Sequence, residues 1–326
     1  MINGTVIVNG TNIYTTYGAY VARGGYNDLV QWPALKSVSG NDWQEYDGFE
    51  PDLTNPVLNT RNLSIKFVMN GDIASITDFY GFLGSYPTMT YNFTDIGKTL
   101  SLRLVSMPSL NYATTFHNMT CQFAADKPLE GYSYVAPSST LPEKRNVLID
   151  DTPLSDYGIR VLKGTINGVA CRPDVKPLLT RNISTVAGAM YDENPLINDP
   201  NDELGNGYET VTTSYAGITG KWKRQTAVGT VTYRSQEITL KCQMEAPVSA
   251  FWQNYNALLY DLSKADQNAS DVTLKGARVI YLSLFDSQFK CWYRSQKVTD
   301  FAFDGTNIWV KFDLVLTVFE DVGDYY

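Results

Sequence analysis

A single histidine, His117, is all that these 326 residues contain. That excludes a multi-histidine metal centre. In "TTFHNMTC" it has no placed serine or cysteine partner, as a nucleophile–base pair requires, so we read it as structural. The four cysteines, Cys121, Cys171, Cys242 and Cys291, are scattered and form no C-x-x-C pair. Their spacing argues against a disulfide framework and against a zinc site; small buried hydrophobes in a reducing compartment is the better reading. Charged residues make up only 18% of the chain, below the usual quarter. No basic stripe suggests wrapping around nucleic acid. No run of about 18 apolar residues exists to span a membrane. The opening "MINGTVIVNG" lacks the basic start and apolar stretch of a secretory signal. No phosphate-cradling glycine loop, nucleophile elbow or metalloprotease helix occurs, and "NGTN" and "GTING" read as turn glycines. No cofactor is expected.

Uncharged polar residues fill the space that charge leaves, among them 22 Tyr, and Gly reaches 24. Tyr, Thr and Val favour strands, while Gly and Asn favour tight turns, so the chain reads as mostly β. Its length suits two domains. The sequons at Asn62, Asn92 and Asn118 are chance products of an Asn- and Thr-rich composition. Acidity is concentrated in two segments without Lys or Arg. One carries Asp42, Glu45, Asp47, Glu50 and Asp52; the other carries Asp192, Glu193, Asp199, Asp202, Glu203 and Glu209. They hold −11 against a net charge of −8, which leaves the remainder at +3.

The chain also repeats itself. "YGAYVARG" from Tyr17 returns as "YGIRVLKG" from Tyr157, an offset of 140 that continues ungapped to Lys36 and Lys176. Identities are Tyr17/Tyr157, Gly18/Gly158, Val21/Val161, Gly24/Gly164, Asn27/Asn167, Pro33/Pro173 and Lys36/Lys176. Such agreement marks a duplication. A second ungapped block follows at an offset of 175, where "LSIKFVM" from Leu63 matches "ITLKCQM" from Ile238. Both alternate apolar and polar residues, the period of a half-buried strand.

Each of these strands leads into the best helix of its half. In "GDIASITDFYGFLG", Asp72 is the cap, Ile73, Ile76, Phe79, Tyr80 and Leu83 form one stripe, and Gly84 ends it. In "EAPVSAFWQNYNALLYDL", Pro247 suits the first turn, and Val248, Phe251, Trp252, Tyr255, Leu258, Leu259 and Leu262 recur at helical spacing. We read both stripes as core. "TLSLRLVSM" and "QFKCWYRS" are matching strands after the helix, "MTCQFA" is the last strand of the first half, and Asp304-Gly305 signals a hairpin turn in the second. Each half therefore reads as a β-sandwich or half-barrel with one packed α-helix. The expected boundaries are a first domain at 1–128, a Pro- and Ser-rich linker at 129–146, and a second domain at 147–326. The second carries extra residues at about 180–235.

The strand with Tyr17, Gly18, Val21 and Gly24, "R-x-L-S-I-K-F" entering "DFYGFL", and the closing "MTCQFAADKP" together resemble the N-terminal domain of the distal tail proteins of long-tailed bacteriophages. "PLSDYGIRVLKG" resembles the opening of that domain again, so the likeness covers nearly the whole chain, once per half. The resemblance implies two tandem tail-tube-like β-sandwich domains. It implies a ring around the DNA channel that joins the tail tube to the baseplate or host-recognition apparatus. The expected partners are further copies of the chain, adjacent tail-tube and baseplate proteins, and viral DNA passing through the lumen without specific binding. The implied location is the virion tail, assembled in the bacterial cytoplasm. In place of a lectin-like second domain the chain repeats the first. This favours a trimer with pseudo-sixfold symmetry over a hexamer of two-domain chains.

The intervals 36–63 and 176–238 match the position of the family's stacking loop. This assigns Asp42, Trp43, Glu45, Asp47, Glu50, Asp52, Asp199, Asp202 and Glu203 to contacts between rings or subunits. These residue types also suit other chemistry. Asp42 with Glu50, or Asp199 with Glu203, has the residue types of a glycosidase pair, and "NDPNDELGNG" has hard oxygen ligands for Ca²⁺ without an EF-hand spacing. Trp43, Trp222 and Trp292 would stack on sugars if exposed, but they sit on unrelated elements. A non-enzymatic assembly role is the reading preferred.

Overall fold

The computed structural model describes residues 4–22, 24–41, 49–70, 72–111, 116–129, 132–139, 141, 147–166, 169–170, 180–182, 209–211, 224–226, 232–234, 236–282 and 287–324. In the first half, β1 (Val6–Val8) and β2 (Thr11–Asn12) form a small hairpin. Helix α1 (Ile13–Tyr17) starts on Asn12, whose side chain accepts from the backbone N–H of Tyr14 and Thr15. It ends on Gly18 in the left-handed conformation at φ 66°. Strand β3 (Ala19–Val21) follows, then α2 (Asn27–Val30) and a ribbon of β4 (Ser39–Asn41) with β5 (Glu50–Asp52). Next come β6 (Arg61–Met69), α3 (Ile73–Leu83), β7 (Met89–Phe93), β8 (Lys98–Asn111) and β9 (His117–Ala125).

The second half opens with β10 (Val147–Ile149) and β11 (Thr152–Pro153), and then a 3₁₀ turn at Leu154–Tyr157 that ends on Gly158 at φ 76°. Strands β12 (Ile159–Ile166) and β13 (Val169–Ala170) follow. Two ribbons come next: β14 (Thr180–Asn182) with β17 (Thr232–Arg234), and β15 (Glu209–Val211) with β16 (Arg224–Thr226). The half is completed by β18 (Gln236–Pro247), α4 (Val248–Ser263), β19 (Arg278–Leu282), β20 (Ser287–Phe303) and β21 (Asn307–Asp324).

The two large sheets have one topology. The first is ordered β2-β1-β7-β8-β9-β6-β3 and the second β11-β10-β19-β20-β21-β18-β12, with β13 added at the edge. Both sequence offsets meet in a single pairing. Ala19 faces Met69 and Val21 faces Phe67 in one half, where Ile159 faces Met244 and Val161 faces Cys242 in the other. The fold is thus mostly β, with a longer helix after β6 in one unit and after β18 in the other. The repeated phrase is the corner between turn and strand, where a left-handed residue closes the turn.

The alternating faces lie as their sequences predict. Leu63, Ile65, Phe67 and Met69 of β6, and Ile238, Leu240, Cys242 and Met244 of β18, are all buried. Asp72 caps α3 by accepting from Ser75 N–H, and Asp304 turns the β20–β21 hairpin by accepting from Thr306 and Asn307. Cys121, Cys242 and Cys291 are free and buried; Cys171 lies outside the described residues. The α3 stripe is narrower than its spacing suggests. Ile76, Phe79 and Leu83 are buried, but Ile73 is 61% and Tyr80 38% exposed. In α4 the corresponding stripe is buried except at Val248, which is half-buried.

The connector lies along α4. Tyr134 packs on Tyr260 at 5.0 Å, Gln253 donates to the Ala136 carbonyl, and Ser138 N–H donates to Asn254. Asp261 accepts from Tyr134, Tyr157 and Lys264. The helix ends without glycine. Instead the buried Arg278 guanidinium donates to the carbonyls of Asp261 and Lys264 and satisfies acceptors that a helix end leaves open.

The two corner glycines differ in surroundings. A Cβ at Gly18 would run into the Asn70 carbonyl oxygen, whereas at Gly158 the nearest atom is the movable Ser139 Oγ at 3.4 Å. Gly158→Ala is expected to cost about 1 kcal/mol, the left-handed penalty alone, and Gly18→Ala at least about 2 kcal/mol. Denaturant unfolding of the two variants checks the order.

Candidate functional site

The feature that joins the halves is a buried aromatic seat. After β3 the first half sends α2 and the Gln31–Leu35 stretch across the second half. Trp32, 4% exposed, is held among Tyr255 of α4 at 4.5 Å, Phe312 of β21 at 5.7 Å and Tyr293 of β20 at 6.3 Å. Nearby, Tyr26 stacks on Phe301 and Phe49 packs on Trp292.

Hydrogen bonds fix the position of this wedge. The Tyr255 hydroxyl donates to the Val30 carbonyl at 2.8 Å and accepts from Gln296 Nε2 at 2.7 Å. The same Gln296 accepts from Trp32 N–H at 2.8 Å, and the Tyr293 hydroxyl donates to the Pro33 carbonyl at 2.8 Å. Leu35 N–H donates to the Arg294 carbonyl, and Leu53 exchanges backbone bonds with Thr273 and Gly276. Burial pushes the Tyr255 and Tyr293 hydroxyls far above their ordinary range, so both stay neutral donors. The indole Nε1 of Trp32 is buried without a partner.

A second contact comes from the β7–β8 turn. Trp252 Nε1–H donates to the Ile96 carbonyl at 2.6 Å, and Lys98 Nζ stands 4.3 Å above the Trp252 ring. Gly97, left-handed at φ 60°, lies against Val248; a Cβ there would come within 2.6 Å of Val248 Cγ1. Burial, with Arg61 as a lesser cause, lowers Lys98 to about 7. Burial likewise lowers Arg61 to about 10; its guanidinium donates to the Asp28 carbonyl.

Of the residues singled out by sequence, Tyr17, Gly18, Tyr157 and Gly158 form the two corners. Gly24 is left-handed at φ 82°, Pro33 supplies its carbonyl to the joint, and Gly164 pairs with Leu240 within β12. Glu50 and Asp52 are exposed on the β4–β5 ribbon, a hairpin where the sequence suggested only a loop. Asp52 is held below the usual carboxylate range by the Thr54 hydroxyl and N–H. Asp42, Trp43, Glu45, Asp47, Asp199, Asp202, Glu203, Pro173 and Trp222 lie outside the described residues. Among the described residues no group of His, Cys, Asp and Glu could hold a metal. No helix of the described residues is long and apolar enough to cross a membrane.

Trp32 was not singled out by sequence. The signal lay in the repeat: at the 140 offset the counterpart of this large aromatic is a cation, Arg172, directly before the shared Pro33/Pro173.

Fold and joint define a duplicated antiparallel β protein whose units contact each other through different surfaces. No protein-family model matches the chain, and no curated protein matches it either. Among solved structures it is similar to SPP1 Dit, described as a paradigm of hub adsorption apparatus in Gram-positive infecting phages. That match has 12% identity and a TM-score of 0.25, and it covers 96% of this chain and 97% of the other.

Trp32→Ala empties the seat and is expected to cost about 3–5 kcal/mol, whereas Trp32→Phe, which also removes the unpartnered N–H, costs less than half of that. Equilibrium unfolding measures both. The Lys98 ammonium is held below its ordinary 10.5, so the unfolded chain binds more protons between about 7 and 10.5, and stability rises with pH across that window. Lys98→Met should therefore exceed the parent in stability near pH 7, with the advantage shrinking toward pH 10. An advantage that does not change with pH contradicts the desolvation of Lys98.

Proposed function

We propose that the chain is a structural component of a long-tailed bacteriophage tail, without catalytic chemistry, that closes into a ring around the DNA channel. In this reading it joins the tail tube to the baseplate or host-recognition apparatus. The observation that carries the ring is the joint. Two units of one topology meet through unlike surfaces, a wedge on one and a helix face on the other. Contacts of that kind generate rings or filaments, since they do not close pairwise. The resemblance of both halves to distal tail domains supplies the class.

Three chains give six similar units, which favours a trimer with pseudo-sixfold symmetry over a hexamer. The neighbours are tail-tube and baseplate proteins, and DNA passes without specific binding, because a neutral or acidic wall gains no affinity from phosphate. The two acidic intervals serve ring stacking. Glu50 and Asp52, exposed on their ribbon, suit such contacts. Sugar stacking is not supported by Trp292, which is 7% exposed and packed on Phe49 and Phe319.

Native mass spectrometry should give three times the 36.4 kDa chain mass, and negative-stain images should show rings with a hole wide enough for duplex DNA. A sixfold mass replaces the trimer with a hexamer; a monomer, or a particle solid at its centre, overturns the ring. Deleting residues 202–208 should leave the protein folded and block tail assembly. Normal assembly by that variant removes the stacking assignment.

A further inference from the structure

The first half brings two cations to the joint that its fold does not require. Arg61 opens β6 and is 9% exposed; its guanidinium donates to the Asp28 carbonyl at 2.8 Å, while its buried Nε has no partner. Lys98 opens β8, is half-buried, and holds its ammonium over the Trp252 ring of α4. The Arg61 charge acts on Lys98. Among the described residues neither cation forms an ion pair. At the matching places the second half carries Gln236, by the 175 offset, and Ser287, which faces Leu282 as Lys98 faces Phe93. Neither position therefore needs a charge to build its strand.

Like charges held in a seam are costly unless an anion lies with them. The carboxylates at hand are engaged by other donors. Asp28, whose charge acts on Arg61, accepts from Ser64 N–H, and Asp95, on the turn before Lys98, accepts from Gly4 N–H and the Tyr26 hydroxyl. Asp28 balances one cation; the other stays uncompensated, beside an unused donor on Arg61. We infer that the seam binds a small free oxyanion, of the phosphate or sulfate class, between Arg61 and Lys98 beneath Trp252. Arg61 Nε–H and the Lys98 ammonium are the donors, both charged, the kind that makes the stronger hydrogen bonds to an oxyanion. The half-buried Lys98 side is the route of entry, and the burial of Arg61 closes the site to a phosphodiester chain. Both donors belong to the first half and the Trp252 roof to the second, so the site is complete only while the joint is closed. Binding of the anion therefore stabilises the joint.

The test is calorimetric titration of the full chain with sodium sulfate, sodium chloride holding the ionic strength constant, alongside thermal unfolding in the same solutions. Sulfate keeps its charge across the pH range, so a change in its affinity with pH reports the protein. One sulfate should bind per chain and raise the unfolding temperature. Lys98→Met should weaken binding about tenfold or more, the loss of one charged hydrogen bond, while Lys98→Arg retains it. The ammonium is lost as pH rises through about 7, so sulfate affinity should fall by up to about tenfold for each pH unit above that point. Binding that Lys98→Met leaves unchanged marks an adventitious ion only and overturns the site. An unfolding temperature that sulfate and chloride move equally overturns it too, as does the absence of binding at millimolar sulfate.

Discussion

Everything about the relation of the halves turns on the placement of Tyr255. Its hydroxyl is buried, so it needs partners, and both come from a single geometry: the Val30 carbonyl of the first half and Gln296 of the second. Gln296 in turn holds Trp32 N–H. A shift of the first half by one residue would break the chain of bonds and leave buried polar groups without partners, each costing about 1–3 kcal/mol. Apolar contact supplies the adhesion here, while the hydroxyls and the amide make it specific to one position.

The composition of α4 is the consequence. Covered on several sides, the helix buries Asn254, Asp261 and Ser263 along with its apolar stripe, and each of the three has a hydrogen-bond partner. Its own sheet, the wedge from the first half and the connector each take a side of α4. The last of these supplies Tyr134 to Asp261 and Ala136 to Gln253. At the end of the helix the buried Arg278 guanidinium donates to the Asp261 and Lys264 carbonyls and takes the role water or glycine has elsewhere. Asp150, 3.4 Å from Arg278, supplies the balancing charge.

Much of the fold was legible because duplication writes the same register twice. The 140 and 175 offsets, found separately, combine into one strand pair, and Asp72, Gly18, Gly158 and Asp304 announced their turns through chemistry that is local. The joint was not legible for the opposite reason. Periodicity reports that Tyr80 and Tyr255 are both apolar positions on a helix; it does not report that only one is covered by a neighbour 225 residues away in sequence. Trp32 reads as one aromatic among many until it is set beside Arg172, where the copies differ. Among duplicated units, identities reveal the scaffold and differences reveal what each copy touches. Of the acidic candidates, Glu50 and Asp52 stand exposed on a ribbon, a placement that charge alone does not announce.

Fusion changes the thermodynamics of an asymmetric contact. Within the chain the wedge meets α4 at an effective concentration set by the connecting segment, so that joint forms as the chain folds and can afford a complex polar lock. A contact between separate chains is bimolecular and loses translational and rotational freedom on forming. The face of α4 that carries Val248, Trp252 and Tyr255 would be an apolar liability if left open, and tethering the wedge in the same chain keeps that face covered at any protein concentration.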